Sequence, residues 1–246
     1  MKVLILMAGT HPSFEQAGYG FPRNLVQTKG KPVLQHVVEN LLPLRSLGAE
    51  FCALVNRDED RRFHTGQVLQ LVDDSIKIQR VEGKTAGALC TALLGIDHID
   101  PEQPLIISNG DIVMECNLRA AVEYFHSHGL DGGTITFKDI HPRWSFVKLD
   151  AAGYVIEAAE KRPISNNATT GFYYFRRGRD FLDAAFRLLL KDAHVEGSFF
   201  ICPVFNEMIL DQKKIGIWQI ERFQYHTLKT ADDVRSYDER NSNNPS

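Results

Sequence analysis

Apolar runs that stop at Gly, Asn or Asp alternate along this chain with stretches of helical periodicity, the pattern of a mainly parallel sheet covered by helices. Residues 1–9, MKVLILMAG, form an apolar strand running into a tight turn. Pro32 stands where a first helical turn tolerates proline, and Val33, Leu34, Val37, Val38, Leu41 and Leu42 make a continuous apolar stripe behind it. Residues 51–56 predict a second strand and 76–81 a third, followed by Gly83-Lys84-Thr85-Ala86-Gly87 and a small-residue helix through Ala88, Leu89, Ala92 and Leu93. Residues 104–111 read as a buried central strand that breaks at a polar terminus, where open α/β sheets place ligand-binding groups.

Asn117 can cap a helix running to His128, with Leu118, Ala121, Val122 and Phe125 on its inner face. The texture then changes. Strand-like segments at 133–137, 146–149, 154–158 and 171–175, joined by Asp-Ala-Ala-Gly and Ser-Asn-Asn turns, predict antiparallel additions to the sheet. An amphipathic helix over 179–193, a short helix over 204–210, a strand over 215–220 and a surface helix over 231–238 complete the reading. Residues 1–240 show no internal repeat and no linker, so one domain is expected, and the polar tail 241–246 has nothing to bury and is expected to be disordered.

At 246 residues, with 43% hydrophobic and 24% charged residues, composition excludes disordered and fibrous classes without choosing a function. A formal net charge of −3 argues against a general nucleic-acid binder and points to small-molecule partners. No apolar run approaches the ~20 residues that span a bilayer, and no small-residue cleavage site follows the first strand, so no membrane role and a cytoplasmic location are expected. Cys52, Cys90, Cys116 and Cys202 lack metal-ligand spacing and lie in or beside apolar segments, as buried free thiols do. No metal site is expected from the nine histidines, and no Gly-x-Ser-x-Gly supports a serine hydrolase.

The candidate chemistry sits at strand ends. A strand, a small-residue turn and a basic residue after proline, here Ala8-Gly9-Thr10 and then Pro22-Arg23, is how an α/β protein builds a phosphate cradle. Asp111, directly after Asn109-Gly110, suits a hard cation bridging phosphate oxygens, with glycine admitting a ligand closely; it equally suits a turn cap. The turn containing Thr85 and Gly87 can admit a nucleobase or phosphate against backbone N–H groups, or be an ordinary strand-to-helix turn. Glu160-Lys161 offers a compact cation to a phosphate, or a solvated surface pair.

Taken together the segments resemble the sugar-phosphate nucleotidyltransferases, more closely the dTDP-glucose pyrophosphorylase-like, family 2 glycosyltransferase-like branch. Its opening Met-Ala-Gly-x-Gly-Ser-Arg-Phe, Gly-Tyr, Pro-Lys-Pro-Leu and Gly-Lys-Pro-Met align with Met7-Ala8-Gly9, Phe14, Gly18-Tyr19, Pro22-Arg23-Asn24-Leu25 and Gly30-Lys31-Pro32. Downstream, the 83–91 segment, Asn109-Gly110-Asp111, Trp144-Ser145-Phe146-Val147, Glu160-Lys161, Ile164-Ser165-Asn166, 170–175, 203–206 and 228–233 follow in order. The resemblance implies one Rossmann-like nucleotide-diphospho-sugar transferase domain of GT-A type. It implies transfer of a nucleotidyl group from an NTP to a sugar 1-phosphate or similar small phosphorylated acceptor, with release of pyrophosphate, in surface-polysaccharide building.

Carried over residue by residue, the nucleotide lies on Ala8, Gly9, Thr10, Thr85, Gly87, Asn109 and Gly110. Asp111 holds Mg2+, Glu160 and Gly171 face the acceptor, Lys161 contacts its phosphate, and Arg23 stands where the family has lysine. Self-association into a homo-oligomer is also implied. The departures concentrate in the chemistry: His11 replaces a turn glycine, Pro12 removes an N–H donor, and Ser13 replaces an arginine, a contact whose loss costs on the order of 10²–10³ in rate. Lys29, Lys31, Arg80 or Lys84 are candidates to substitute for it, and Asp232 and Asp233 for a second metal ligand. Two alternatives stay open on the same fold, a glycosyltransferase using a nucleotide sugar and a catalytically weakened nucleotide-binding or regulatory subunit.

Overall fold

The first strand, β1 (Lys2–Met7), sends Val3, Ile5 and Met7 into one hydrophobic core and Leu4 and Leu6 into a second on the opposite face. A strand apolar at every position after its first, as β1 is beyond Lys2, is stable only in the middle of a sheet covered on both sides. The computed structural model describes residues 1–240; the tail reading for 241–246 lies outside the described residues.

After β1 come α1 (Ser13–Gln16), a hairpin of β2 (Gln27–Thr28) and β3 (Lys31–Pro32), α2 (Val33–Leu41), β4 (Glu50–Asn56), α3 (Arg57–Phe63), α4 (Thr65–Val72), β5 (Lys77–Val81) and α5 (Ala88–Leu93). Next are β6 (Leu105–Asn109), β7 (Ile112–Met114), α6 (Leu118–Ser127), β8 (Gly132–Lys138), β9 (Ser145–Leu149), β10 (Val155–Glu160) and β11 (Asn167–Phe175). The chain continues through α7 (Gly178–Leu190), α8 (Val204–Leu210), β12 (Ile215–Gln219), β13 (Tyr225–Thr227) and α9 (Ala231–Glu239). Strands β6, β1, β4 and β5 run parallel, with Leu4 opposite both Cys52 and Ile107. Strand β11 joins β6 antiparallel and carries β8 and the β9–β10 pair, completing a mixed, mostly helix-covered α/β sheet of nine strands.

Three differences from the sequence reading matter for the site. Strand β12 adds to β8 in parallel, because the chain crosses over through α7 and α8, whereas the additions before it are antiparallel. Strand β11 begins at Asn167, ahead of the expected Gly171; its buried threonine hydroxyls find partners within the protein, Thr170 Oγ1 donating to the Ile135 carbonyl at 3.2 Å. Helices α3 and α4 were not anticipated, since RDEDRRF has no apolar stripe and α4 buries only Thr65, Gly66 and Leu69.

Elsewhere local rules suffice. Asn117 Oδ1 accepts the Ala120 N–H at 3.0 Å and starts α6 as expected of a cap. All four cysteines are free, and burial pushes the Cys52 thiol up to about 12 and Cys116 up to about 11. Among the described residues no helix is long and apolar enough to cross a membrane.

Candidate active site

A cavity of about 530 Å³ opens at the carboxyl ends of β1, β4 and β6 and is walled on the far side by β9, β10 and β11. Of the residues singled out from sequence, Ala8, Gly9, Thr10, Arg23, Thr85, Gly87, Asn109, Asp111, Glu160 and Gly171 all line it. The 83–87 turn is stitched across to the opposite wall, with Phe199 N–H donating to the Ala86 carbonyl at 2.8 Å and Leu89 N–H to the Phe199 carbonyl at 3.1 Å.

Gly110 and Lys161 are not lining residues. At Gly110 an added Cβ would lie 2.6 Å from the Leu6 carbonyl oxygen, which the Gly110 N–H itself reaches at 2.9 Å. The glycine therefore lets the end of β6 approach β1, and the expectation that it admits a ligand is corrected by that close backbone contact. Lys161 sits in a left-handed conformation (φ 53°), its ammonium pairs with the Glu196 carboxylate, and it lies 5.7 Å from the Phe200 ring centroid at the cavity rim.

The charged centre is a buried ion pair. Arg23 Nη1 donates to Asp111 Oδ2 at 2.9 Å, with the two side chains 6% and 14% exposed. Asn24 explains why Arg23 is placed so firmly: its Nδ2 donates to the Met7 carbonyl at 3.0 Å and to Glu59 Oε1 at 2.7 Å, tying the Pro22–Leu25 turn to the end of β1 and to α3. Thr65 Oγ1 donates to the same carboxylate oxygen at 3.0 Å. Burial nonetheless pushes the Glu59 carboxyl above its usual range, with these donors opposing the shift. Sequence reasoning missed Asn24 and Glu59. One signal was present: Asn56 followed by Glu59 has N-cap spacing, and Asn56 Oδ1 accepts the Glu59 N–H at 2.9 Å.

The fit of a divalent cation follows from the donors present. Asp111 Oδ2 is taken by Arg23, and no protein donor occupies Oδ1 among the described residues. Those residues contain no group of three or more His, Cys, Asp or Glu placed to hold a metal. Asp232 pairs with Arg235 and Asp233 Oδ2 accepts the Thr230 N–H at 2.9 Å, so neither candidate second ligand reaches the cavity. The residues do not form a protein cage. They do fit Mg2+ held by one carboxylate oxygen together with substrate phosphates and water, which is how Mg2+ commonly binds nucleotides.

Of the four cations considered as substitutes for the lost arginine, Lys84 alone lines the cavity. Lys31 is paired with Glu39 at 2.8 Å, Arg80 with Asp60 at 2.6 Å, and Lys29 lies 3.6 Å from the Tyr237 ring centroid. Two further lining cations, Arg143 and Lys229, were not anticipated, although they flank Trp144-Ser145 and Leu228 in the segments that carry the resemblance. Among the described residues none of Lys84, Arg143 and Lys229 has a carboxylate partner, and Arg143 stacks 4.1 Å from the Trp144 ring centroid.

The far wall is different in kind. Ser145 Oγ donates to Glu160 Oε2, and burial pushes the Glu160 carboxyl above its usual range. Thr169 Oγ1 and Tyr173 Oη share a hydrogen bond at 3.2 Å beside it. Gly171 (φ 91°) leaves room for the Asn109 side chain, whose Cγ would be 2.9 Å from an added Cβ. One end of the cavity thus presents a guanidinium paired with the Asp111 carboxylate; the other presents hydroxyls around the Glu160 carboxyl group.

The profile of the nucleotidyl transferase family matches residues 2–214. The chain is 25% identical over 216 residues to the bifunctional protein GlmU of Methanocaldococcus jannaschii, covering 80% of this chain and 48% of that protein. It is 27% identical over 184 residues to the UTP–glucose-1-phosphate uridylyltransferase AglF of Haloferax volcanii, covering 71% and 72%. The chain therefore spans about half the length of the first of these relatives. In fold it resembles a nucleoside-diphosphate-sugar pyrophosphorylase from Vibrio cholerae RC9 (TM-score 0.83, 24% identity, 97% of this chain and 100% of that one). It also resembles a UDP-glucose pyrophosphorylase complexed with UDP-glucose (TM-score 0.76, 14% identity, 98% of each).

Proposed function

The chain belongs to the nucleotidyl transferase family, and from that premise we propose that it transfers a nucleotidyl group from a nucleoside triphosphate to a sugar 1-phosphate or similar small phosphorylated acceptor, releasing pyrophosphate. The observation that carries this reading is the buried Arg23–Asp111 pair at a strand-end cavity that also holds the unpaired cations Lys84, Arg143 and Lys229. A uridylyltransferase acting on UTP and glucose 1-phosphate among the relatives supports the substrate class. The same reading takes residues 1–240 as one nucleotidyltransferase-like unit, working in the cytoplasm for surface-polysaccharide building and associating as a homo-oligomer.

In this reaction a phosphate oxygen of the acceptor forms a bond to the α-phosphorus while the bond from that phosphorus to the bridging oxygen breaks, and pyrophosphate departs with the electron pair. The attacking oxygen is already anionic, so positioning and charge stabilisation matter more than a proton shuttle. Arg23 faces the α-phosphate, and Asn24 and Glu59 hold it there. The nucleotide lies against Ala8, Gly9, Thr10, Thr85, Gly87 and Asn109, with Gly110 acting through packing. Asp111 would hold Mg2+ through its free carboxylate oxygen, and the ion would supply positive charge against the triphosphate. Glu160 and the Gly171 turn receive hydroxyls of the acceptor, and Lys161 reaches the acceptor phosphate by leaving Glu196.

A second reading, nucleotide binding with weak or no turnover, is favoured by Ser13, whose hydroxyl is committed to the Ala231 N–H at 3.1 Å and brings no charge to the turn. Pyrophosphate release across ATP, GTP, CTP, UTP and dTTP with a panel of sugar 1-phosphates and Mg2+ separates the two. The proposal expects release with at least one pair and its loss in Asp111→Ala. No turnover with any pair, alongside measurable nucleotide binding, would establish the second reading. Consumption of intact nucleotide sugar with a nucleoside diphosphate as product would make the protein a glycosyltransferase.

A further inference from the structure

The turn after β1 has exchanged its expected cation for a hydrogen-bond chain. Ser13 N–H donates to His11 Nδ1 at 3.2 Å, and Ser13 Oγ lies 2.8 Å from the same nitrogen. The Ser13 oxygen in turn accepts the Ala231 N–H, at the start of α9, at 3.1 Å. A backbone N–H can only donate, so Nδ1 is the acceptor and the ring proton of the neutral imidazole sits on Nε2. Because Nδ1 then carries no proton, the Ser13 hydroxyl is the donor in its 2.8 Å contact with Nδ1, while its oxygen accepts the Ala231 N–H. His11 lines the cavity, and its Nε2 has no protein partner among the described residues.

We propose that His11 is a polyphosphate ligand of the nucleotide site, presenting Nε2–H as the donor that Pro12 and Ser13 remove from the turn, and that Ser13 is the positioning residue fixing its tautomer and aim. This rests on the cavity being a nucleoside triphosphate site. The chain exchanges the expected arginine for a ring held by the Ser13 N–H and hydroxyl, and Ser13 is in turn held by the Ala231 N–H of α9, distant in sequence. A hydrogen bond from such a donor to an ionised phosphate oxygen corresponds to about a tenfold to hundredfold change in affinity. The replacement also makes the turn depend on the docking of α9. Thr230 secures the start of that helix by accepting the Asp233 N–H at 3.1 Å.

The test titrates the full chain with sodium tripolyphosphate by calorimetry, which reads the phosphate end without reference to the base, and with the five triphosphates named above. His11→Ala is expected to weaken tripolyphosphate binding about tenfold to a hundredfold, and His11→Gln, which keeps an N–H donor at similar reach, to recover much of it. Ser13→Ala is expected to lose severalfold in wild type, with Ser13→Thr restoring it, and to lose nothing further in His11→Ala protein, whereas a merely structural role for the hydroxyl in α9 docking would give the same loss in both backgrounds. Independently of any variant, two-bond 1H–15N spectra of the wild type should show His11 protonated at Nε2 and not at Nδ1. Equal tripolyphosphate affinity in wild type and His11→Ala, or an Nδ1–H tautomer, overturns the role of His11 and leaves the proposed reaction standing. Failure of the wild type to bind tripolyphosphate and every triphosphate removes the nucleotide reading itself, and the role of His11 with it.

Discussion

The two ends of the cavity are held together by different physics. At the phosphate end, buried Arg23 faces the largely buried Asp111 at 2.9 Å, and a second layer of Asn24, Glu59 and Thr65 hydrogen bonds locks the arginine to the end of β1. At the acceptor end, Glu160 is half-buried, has no salt-bridge partner among the described residues and accepts the Ser145 hydroxyl, while the neighbouring Lys161 turns to exposed Glu196 at the rim. Burying a charge is tolerated only where it is paired or neutralised. The first end solves this with an opposite charge; at the second, burial raises the Glu160 carboxyl while the Ser145 hydroxyl and the charges of Lys161 and Lys229 oppose the shift. A preformed charged floor suits a triphosphate; a wall lined by the Ser145, Thr169 and Tyr173 hydroxyls around Glu160 suits a polyol.

The contrast can be broken at several points, beginning where the effect is largest. Asp111→Ala leaves a buried guanidinium unpaired, and is expected to abolish pyrophosphate release by at least about 10²–10³ and to lower unfolding free energy by roughly 3 kcal/mol in urea titrations. A double variant, Arg23→Met with Asp111→Leu, is expected to regain most of that stability and none of the activity. If the single and double variants unfold alike, the pair is not the buried charge couple described. Asn24→Ala deprives the Met7 carbonyl and Glu59 of their shared donor; a loss of about 1–3 kcal/mol is expected. The accompanying fall in kcat/KM should be about tenfold or more, because Arg23 loses its anchor.

At the acceptor end the informative variable is pH. Burial raises the folded-state value of Glu160 above its usual value of 4.5, so the folded protein binds this proton more tightly than the unfolded chain does. Wild-type stability from this group is therefore greatest at low pH and is lost as pH rises from the ordinary carboxylate value through the raised folded one. Glu160→Gln cannot ionise, and its melting temperature relative to wild type should climb as pH rises from the ordinary carboxylate value of 4.5. A flat difference would place the ionised carboxylate in the folded state. The smallest effect concerns the rim: Lys161 and Glu196 are exposed enough that their pair contributes under about 1 kcal/mol. Glu196→Gln should thus leave stability nearly unchanged while lowering the KM for the acceptor severalfold by releasing Lys161, and Lys161→Ala should raise it.

How legible each part was in sequence follows from the range of the interactions involved. The parallel strands and α2 and α6 could be read because apolar runs and stripes are local records of burial on a face. Helices α3 and α4 could not, because their stability comes from a cap at Asn56 and from contacts of Glu59 and Asp60 that lie elsewhere in the chain. The lining residues of the strand-end turns were found by motif. Arg143 and Lys229 were passed over because a single cation beside an aromatic or a leucine carries no pattern. Gly110 shows the opposite case: the residue was marked, but its demand for space comes from β1 and not from a ligand.

The chain's sequence by itself determined the α/β class, the position of the ligand-binding strand ends and the departures at His11, Pro12 and Ser13, because each is written in patterns a few residues long. Only the tertiary structure decided what those departures mean and which charges meet. Ser13 reaches Ala231 across 218 residues of chain and Arg23 reaches Asp111 across 88, distances over which periodicity and propensity carry no information. Contacts of that span form because the sheet brings β1 and β6 side by side with α9 folded back over their ends. The pairing of the site's charges is therefore a property of the fold rather than of any segment within it.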